Sequence, residues 1–249
     1  MAAAQADTLR ALLWDVDGTV AETERDGHRV AFNQAFEQLG LTWRWSVPRY
    51  GELLRVMGAR ERLLHDMATH ADAPATVPER DALVLELRRR KNLAYAELVA
   101  LGGITPRPGV CRLVNECRAA GVTLAVVTTS SRSNVDALFV RIWGADWQRV
   151  FSTLVCAEDA PVKKPDPQAY LLALQRLGMA AHEVFALEDS PGGLQAARAA
   201  GIACGVTRSL YFADATFEGA AWVRDDLENP SPMTLPLLQA ALAGSIAPS

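Results

Sequence analysis

Apolar and polar positions change their spacing along the chain. Between residues 22 and 101 the apolar residues recur three or four positions apart, as in Val30, Phe36 and Leu39, and Gly40 then provides a stop. This spacing is typical of helices that bury one face. The predicted helices are one ending before Gly40, one around residues 53–57, one around residues 63–67 and one over residues 78–100.

From residue 108 onward, helical spacing alternates with short apolar runs such as 122–127, which suit strands covered on both faces. The predicted helices are 109–120, 134–142, 167–177, 192–200 and 235–242, and the predicted strands are 11–14, 122–127, 153–156, 184–187, 202–206 and 222–223. Such alternation predicts an α/β fold with a doubly wound parallel sheet. We therefore expect an α/β core of residues 1–21 and 102–249, with a helical domain of residues 22–101 inserted after the first strand.

Composition narrows the class of protein. Half of the 249 residues are hydrophobic, which is enough for a sizeable core, and the net charge is −4. A negative net charge argues against nucleic acid or an anionic membrane as the main partner. The segment 1–7 lacks the basic and long apolar regions of a signal peptide, and the four cysteines lack metal-binding spacing. We expect a cytoplasmic monomer with reduced cysteines.

The most informative segment is 11–19, where an apolar run ends in Asp15-Val16-Asp17-Gly18-Thr19. A strand that ends this way presents both carboxylates at the carboxyl edge of the sheet. Two close carboxylates are costly unless a cation lies between them or one is protonated. The pair therefore predicts Mg²⁺ binding, acid–base chemistry, or both. The alternative is an ordinary turn, because Asp-Gly is a common turn sequence.

Polar side chains also follow the other predicted strands. They are Thr128, Thr129, Ser130 and Ser131 after the second strand, Lys163 and Lys164 after the third, and Glu188 and Asp189 after the fourth. Taken singly, residues 128–131 would be interpreted as a polar turn, and Lys163 and Lys164 as a pair of solvated charges. Ligands of doubly wound sheets bind beyond the carboxyl ends of the strands, so we expect these groups to form one site.

Phosphoryl transfer accounts for each of these groups. Asp15 can attack phosphorus as a nucleophile, and Asp15 and Asp189 can bind Mg²⁺ through oxygen. Thr128 and one lysine can hold the phosphoryl oxygens. We expect Asp17, crowded by other carboxylates, to stay protonated and to act first as an acid and then as a base.

With these motifs, the chain resembles the haloacid dehalogenase-like hydrolase superfamily. The motifs are DVDGT at 15–19, VVTTS containing Thr128, KKP containing Lys164 and LEDS containing Asp189. The resemblance implies a Rossmann-like core with a small helical cap and a Mg²⁺ cofactor. It also implies Asp15 as nucleophile, Asp17 as acid/base, and Thr128 and Lys164 as phosphate binders. The implied metal site comprises Asp15, Asp17, Glu188 and Asp189.

The helical insert further resembles CbbY-type phosphatases, which remove the 1-phosphate from xylulose 1,5-bisphosphate. The matching segments include 21–36, 41–45, 56–64, 87–98 and 128–135. In this chain Arg60 stands where the family has a lysine. The residues that the resemblance places around the substrate are Glu24, Met57, Gly58, Ala59, Arg60, Arg88, Arg89, Thr129, Ser130, Ser131 and Asn134. His28 is read either as a general base at the substrate or as a capping histidine.

The expected function is thus Mg²⁺-dependent hydrolysis of a small sugar bisphosphate, most simply xylulose 1,5-bisphosphate. One alternative is a phosphomutase of the β-phosphoglucomutase type, which shares the cap and the motifs but returns the phosphoryl group to another hydroxyl. A second is a phosphatase for another small ester such as phosphoglycolate. A ligand-binding module without catalysis is disfavoured because both aspartates and Asp189 are present.

Overall fold

The computed structural model describes residues 8–244, so residues 1–7 and 245–249, which belong to the predicted core, lie outside the described part. The strands are β1 (Ala11–Trp14), β2 (Thr123–Val127), β3 (Thr153–Val155), β4 (Val184–Glu188), β5 (Ala203–Thr207) and β6 (Trp222–Arg224). They form a parallel six-stranded sheet in the order β3-β2-β1-β4-β5-β6. The predicted doubly wound α/β fold is confirmed.

After β1 the chain leaves the sheet and forms the helical insert. It comprises a π-helical turn Glu24–His28 followed by α1 (Arg29–Gln38), α2 (Val47–Leu53), α3 (Ala59–Met67) and α4 (Val77–Ala100). The helix predicted around 53–57 lies earlier, because the Ser46 side chain caps α2. Met57 instead lies in the turn before α3, where Gly58 has a φ of +95°.

The remaining helices return to the sheet. They are α5 (Val110–Ala119), α6 (Arg132–Trp143), α7 (Gln168–Leu177), α8 (Pro191–Ala199) and α9 (Leu235–Leu242), and a short 3₁₀ turn Leu210–Phe212 follows β5. Alternate residues of β1 enter different hydrophobic clusters: Leu12 and Trp14 pack with α5 and α6, and Ala11 and Leu13 pack with α7 and α8. Both faces of the sheet are therefore covered.

The insert has a hydrophobic cluster of its own, which includes Phe32, Trp45, Tyr50 and Leu87. The beginning and the end of the insert also pack on the core. Ala31 of α1 and Tyr95 of α4 belong to the same hydrophobic cluster as Leu12 and Trp14 of β1. Among the helices of residues 8–244, none is both long and apolar enough to cross a membrane.

Candidate active site

The carboxyl edge of the sheet brings together the ends of β1, β2 and β4, which are neighbours. The Asp15 N–H donates to the carbonyl of Leu187 (3.0 Å), and the Thr128 N–H donates to that of Val155 (2.9 Å). These bonds extend the sheet ladder by one residue, so the first side chains beyond the strands are fixed in position. Gly18 comes so close that a Cβ there would lie 2.1 Å from Oδ2 of Asp189.

Three buried carboxylates meet at this edge. Oxygen atoms of Asp15, Glu188 and Asp189 lie within 4.8 Å of one another. The Lys164 ammonium donates to Oδ1 of Asp15 (2.8 Å) and to Oε1 of Glu188 (2.6 Å). When all four groups are ionised, a net charge of −2 remains.

That residual charge is reflected in the pKa values. Burial raises the pKa of Asp15 to about 8, with Lys164 opposing and Glu188 adding to the rise. Burial and the neighbouring Asp15 and Glu188 raise the pKa of Asp189 well above its usual value. Within the described residues, Oε2 of Glu188 has no hydrogen-bond partner. A buried group of oxygen ligands with excess negative charge fits a hard divalent cation such as Mg²⁺.

Asp17 lies outside this group of three. Its Oδ1 accepts hydrogen bonds from Thr23 Oγ1 (2.5 Å) and His28 Nε2 (2.8 Å), and its Oδ2 accepts one from Ser130 Oγ. Burial alone would raise the pKa of Asp17, but the charge of His28 and these hydrogen bonds lower it overall. The expectation that other carboxylates crowd Asp17 and keep it protonated is wrong, because the pKa of Asp17 is lowered. Asp15 and Asp189 are the aspartates whose pKa values neighbouring carboxylates raise.

The hydrogen bond between His28 and Asp17 bears on the interpretation of His28 as a capping residue. The His28 ring points at Asp17 and contacts the ring of Tyr95 in a tilted arrangement with centroids 4.2 Å apart, and its side chain makes no capping bond. The capping interpretation is therefore wrong. His28 lies in the π-helical turn, where Gly27 is packed so tightly that a Cβ would lie 2.7 Å from Cδ1 of Ile104. Single π turns are frequent at functional sites.

Two neighbouring cavities, which share the lining residues Asp17, Glu24, Arg62 and Thr129, lie between the sheet edge and the insert. The larger, of about 310 Å³, extends from Asp17 to α4, and the smaller, of about 40 Å³, adjoins Asp15, Lys164 and Asp189. The predicted residues that line the larger cavity are Asp17, Glu24, His28, Gly58, Ala59, Arg60, Arg88, Thr129, Ser130, Ser131 and Asn134. Met57 lines the smaller cavity. Most of the predicted residues thus line one of these two cavities.

Three predicted residues line neither cavity: Thr128, Glu188 and Arg89. Thr128 and Glu188 are buried at the strand ends directly below the site. Arg89 faces solvent and pairs with Glu86, with Nε 2.8 Å from Oε2. Arg60 lines the larger cavity and also pairs with an exposed carboxylate, that of Asp81 (2.7 Å).

The sequence analysis missed Lys91, which lines the larger cavity. Lys91 is only 3% exposed, and its ammonium lies over the rings of Phe32 (5.3 Å) and Tyr95 (5.2 Å). Burial lowers the pKa of Lys91 to about 8. Its position was readable in the sequence, because Lys91 continues the buried stripe of Val84 and Leu87 at helical spacing.

Arg62 was also missed, and it lines both cavities. It is buried, and its guanidinium donates to the carbonyl of Leu53 (3.2 Å) and to the hydroxyl of Tyr50 (2.9 Å). Tyr50 in turn donates to Oε2 of Glu24 (2.5 Å). This chain of contacts holds Glu24 at the junction of the two cavities.

Comparison with known proteins agrees with this geometry. The family model of haloacid dehalogenase-like hydrolases matches residues 9–201. The plasmid-encoded protein CbbY of Cupriavidus necator is 42% identical over 223 residues, covering 90% of this chain and 87% of that protein. The crystal structure of CbbY from Rhodobacter sphaeroides in complex with phosphate matches with a TM-score of 0.86 and 37% identity, covering 93% of this chain and 99% of the other.

A mutant of the Rhodobacter sphaeroides protein in complex with xylulose 1,5-bisphosphate matches with a TM-score of 0.85 and 36% identity over the same shares of both chains. Asp15, Thr128 and Asp189 of the motifs quoted above lie at the carboxyl edge of the sheet, and Lys164 contacts Asp15 there. The chain belongs to the haloacid dehalogenase-like hydrolases, is a phosphatase, and groups with the CbbY proteins.

Proposed function

We propose that this phosphatase is Mg²⁺-dependent and hydrolyses xylulose 1,5-bisphosphate to xylulose 5-phosphate and phosphate. The observation that carries the proposal is the distribution of cations along the two neighbouring cavities. Lys164 lines the smaller cavity beside Asp15, Arg88 and Lys91 line the larger cavity, and Arg62 lines both. A substrate with a phosphate at each end matches this arrangement. The relative that binds xylulose 1,5-bisphosphate supports the choice of substrate.

Asp15 and Asp189 are the side chains that would hold Mg²⁺, with Glu188 at the third corner of the carboxylate group. The ion would neutralise charge on the carboxylates and on the phosphoryl oxygens. The ligand role predicted for the Asp17 side chain stays a prediction, because hydrogen bonds from Thr23, His28 and Ser130 engage both of its oxygens.

Hydrolysis would proceed in two steps. In the first, an oxygen of Asp15 attacks phosphorus, the ester P–O bond breaks, and Asp17 gives a proton to the leaving oxygen. In the second, Asp17 takes a proton from a water whose oxygen attacks the aspartyl phosphate, which releases inorganic phosphate and regenerates Asp15. Asp17 can draw its proton from Nε2 of His28, 2.8 Å away. Lys164 and Thr128 would hold the phosphoryl oxygens.

The insert would bind the second phosphate. Arg88 lines the cavity with no salt bridge in the described part of the chain, and Lys91 lies one helical turn further along the same face. The carboxylate of Glu24, held by Tyr50, lies between the two ends of the cavity and can accept hydrogen bonds from sugar hydroxyls. Ser131 and Asn134 line the opposite side.

Phosphate release from four compounds tests the proposal: xylulose 1,5-bisphosphate, ribulose 1,5-bisphosphate, phosphoglycolate and β-glucose 1-phosphate. We expect the highest kcat/KM on xylulose 1,5-bisphosphate. A higher kcat/KM on phosphoglycolate would contradict the bisphosphate assignment. Conversion of β-glucose 1-phosphate to glucose 6-phosphate without phosphate release would establish the phosphomutase alternative instead.

The domain division and the setting of the enzyme are part of the same proposal. Residues 22–101 form the cap and residues 1–21 and 102–249 the catalytic core. The enzyme acts as a monomer in the cytoplasm. Light scattering of the purified protein in solution tests the oligomeric state, because a dimer has twice the molar mass of the chain.

A further inference from the structure

Arg107 lies in the segment that returns the chain from the insert to the core. Its guanidinium donates to the backbone carbonyls of Gly18, Thr207 (3.1 Å), Arg208 (2.6 Å) and Asp225. Gly18 lies in the turn after β1, Thr207 ends β5, Arg208 begins the loop after β5, and Asp225 begins the loop after β6. The Arg107 side chain is only 8% exposed, so water competes little for these bonds. One cation thus ties three loops together at the carboxyl edge of the sheet.

Two of these loops contact Asp189. Gly18 packs directly against it, because a Cβ at Gly18 would lie 2.1 Å from Oδ2 of Asp189 and 3.0 Å from Cβ of Ser209. Ser209 follows Arg208 in the chain and lines the smaller cavity together with Asp189, and its side chain opposes the rise in the pKa of Asp189. Arg107 therefore fixes the backbone on two sides of the same carboxylate.

The backbone of Arg107 adds to this fixation. Its N–H donates to the carbonyl of Val20 (2.8 Å), and Pro106 forms a β-bridge with Ala21. The segment around Arg107 therefore contacts the turn that carries Asp17 and Gly18 at three successive places, Gly18, Val20 and Ala21.

We propose that Arg107 is a positioning residue that holds Asp189 in place as a metal ligand. The proposal rests on the assignment of Asp189 to the Mg²⁺ site made above. Arg107 acts through the Gly18 and Ser209 loops and touches neither substrate nor metal. A guanidinium presents several donors in a rigid planar fork, whereas a lysine ammonium is a point charge that cannot reach the same carbonyls with one geometry. Partners beyond the ligands themselves commonly change metal affinity about 10- to 100-fold.

Arg112 provides a matched control. Its guanidinium also donates to backbone carbonyls, those of Leu227 (2.7 Å) and Met233 (3.1 Å), and it pairs with Glu228 (2.8 Å). None of these bonds goes to the loops that hold Gly18 and Ser209. Loss of Arg112 thus removes a comparable cross-link of the fold without removing the support of Asp189.

The test is the Mg²⁺ dissociation constant, measured by titration calorimetry on the full chain without substrate. The proteins compared are the wild type, Arg107→Met, Arg107→Lys and Arg112→Met, each with its Tm. We expect Arg107→Met to raise the constant about tenfold or more, Arg107→Lys to raise it about threefold, and Arg112→Met to leave it within about twofold despite a lower Tm. If Arg107→Met fails to fold, the comparison of Arg107→Lys with Arg112→Met decides.

Equal constants for wild type and the folded Arg107 variants would overturn the proposal. An equal rise in Arg112→Met would overturn it as well, because the effect would then follow general destabilisation. Absence of Mg²⁺ binding to the wild-type protein would overturn the metal assignment itself, and this inference with it.

Discussion

Nε2 of His28 lies 2.8 Å from Oδ1 of Asp17, although the two residues come from different parts of the molecule. His28 is at the start of the helical insert, and Asp17 is in the turn after β1. In the proposed reaction, the residue that carries the proton, Asp17, is therefore hydrogen-bonded to a side chain of the insert. This contact links the position of the insert to the protonation of Asp17 in that reaction, and the hydrogen bond from Thr23 of the insert to the same oxygen adds to the link.

Substitution of this pair tests the link. Asp17→Ala should lower kcat about 10²–10⁴-fold, because the leaving oxygen and the attacking water each need a proton carrier. His28→Gln should also lower kcat, and should have little further effect when combined with Asp17→Ala, because residues that act as a unit are not additive. Steady-state kinetics of the two single variants and the double variant provide the measurement. A loss below about tenfold in Asp17→Ala would contradict the acid/base role.

Asp15→Asn should abolish turnover, because a neutral amide is a poor nucleophile towards phosphorus. The fold should persist, since Lys164 keeps Glu188 as a partner at 2.6 Å. Asp26→Asn is the control, because Asp26 is an exposed carboxylate of the π-helical turn. Phosphate release and circular dichroism of both variants test this. Turnover of Asp15→Asn near the wild-type rate would rule out an aspartyl phosphate on Asp15.

The adjacent residues Arg88 and Arg89 test recognition of the second phosphate. Arg88 lines the cavity, whereas Arg89 faces solvent. A charge-assisted hydrogen bond contributes about 1.5–3 kcal/mol, so Arg88→Ala should lower kcat/KM for the bisphosphate about 10- to 100-fold. Arg89→Ala should leave it unchanged, and neither should affect p-nitrophenyl phosphate. Equal losses on both substrates would mean that Arg88 supports the fold or cap closure instead.

Lys91 should make binding of the bisphosphate depend on pH. Burial lowers its pKa to about 8, so Lys91 is positively charged below that pH and neutral above it. The kcat/KM for the bisphosphate should therefore fall as pH rises from 7 to 9. In Lys91→Arg this fall should be absent, because arginine stays charged over this range. A wild-type profile identical to that of Lys91→Arg would exclude Lys91 as a phosphate ligand.

Asp66 should stabilise the insert. It accepts hydrogen bonds from Nε1 of Trp45 (2.5 Å), Nη2 of Arg49 (2.7 Å) and Nε2 of His70 (3.1 Å). Asp66→Ala leaves the buried Trp45 donor unpaired, which costs about 1–3 kcal/mol of unfolding free energy. The exposed Asp72, bonded to Nε1 of Trp43 (2.8 Å), is the control, and Asp72→Ala should cost less. Urea unfolding of the two variants gives the comparison, and equal costs would contradict the role of burial.

The carboxylate of Asp66 should also make the stability of the folded protein depend on pH in the acid range. Burial would raise the pKa of Asp66, but hydrogen bonds from Trp45, Arg49 and His70 lower it overall. A carboxylate with a lowered pKa in the folded state contributes stability above its unfolded pKa, and loses it as pH falls through the folded value. Acid should therefore destabilise the wild-type protein more than Asp66→Ala. Parallel stability curves for the two proteins below pH 5 would contradict this.

The sheet and the groups at its edge were predictable because parallel strands bring their carboxyl ends to one side. Asp15 and Asp189 each come at or just after the end of an apolar run, so the positions of the runs gave the positions of these side chains, whereas Lys164 lies nine positions beyond β3. Site residues were harder to predict in the insert, because the side chains of a helix point in all directions around its axis. Arg88 and Arg89 are neighbours in sequence but differ in whether they reach the cavity, and Lys91 is the buried cation of that basic segment.

The protonation of the two aspartates was not predictable from spacing alone. Asp15 and Asp17 are two residues apart, yet one faces Glu188 and Asp189 while the other faces His28 and Ser130. These partners lie 11 to 174 positions away along the chain. The sequence motif identified both carboxylates. Which of the two lies beside other negative charges depends on how the loops come together in the fold, and it is Asp15.

The π-helical turn at Glu24–His28 has an evolutionary consequence. A π turn is an α-helical turn with one residue added. A related chain that reaches the same histidine position through a regular α turn needs one residue fewer between its second aspartate and that histidine. Alignments of this segment should therefore be anchored separately on Asp17 and on α1, with a single-residue gap inside the turn. Counting residues from the aspartates alone would assign the histidine of such a relative to Gly27, where the side chains of Ile104 and Tyr95 occupy the space that a Cβ would need.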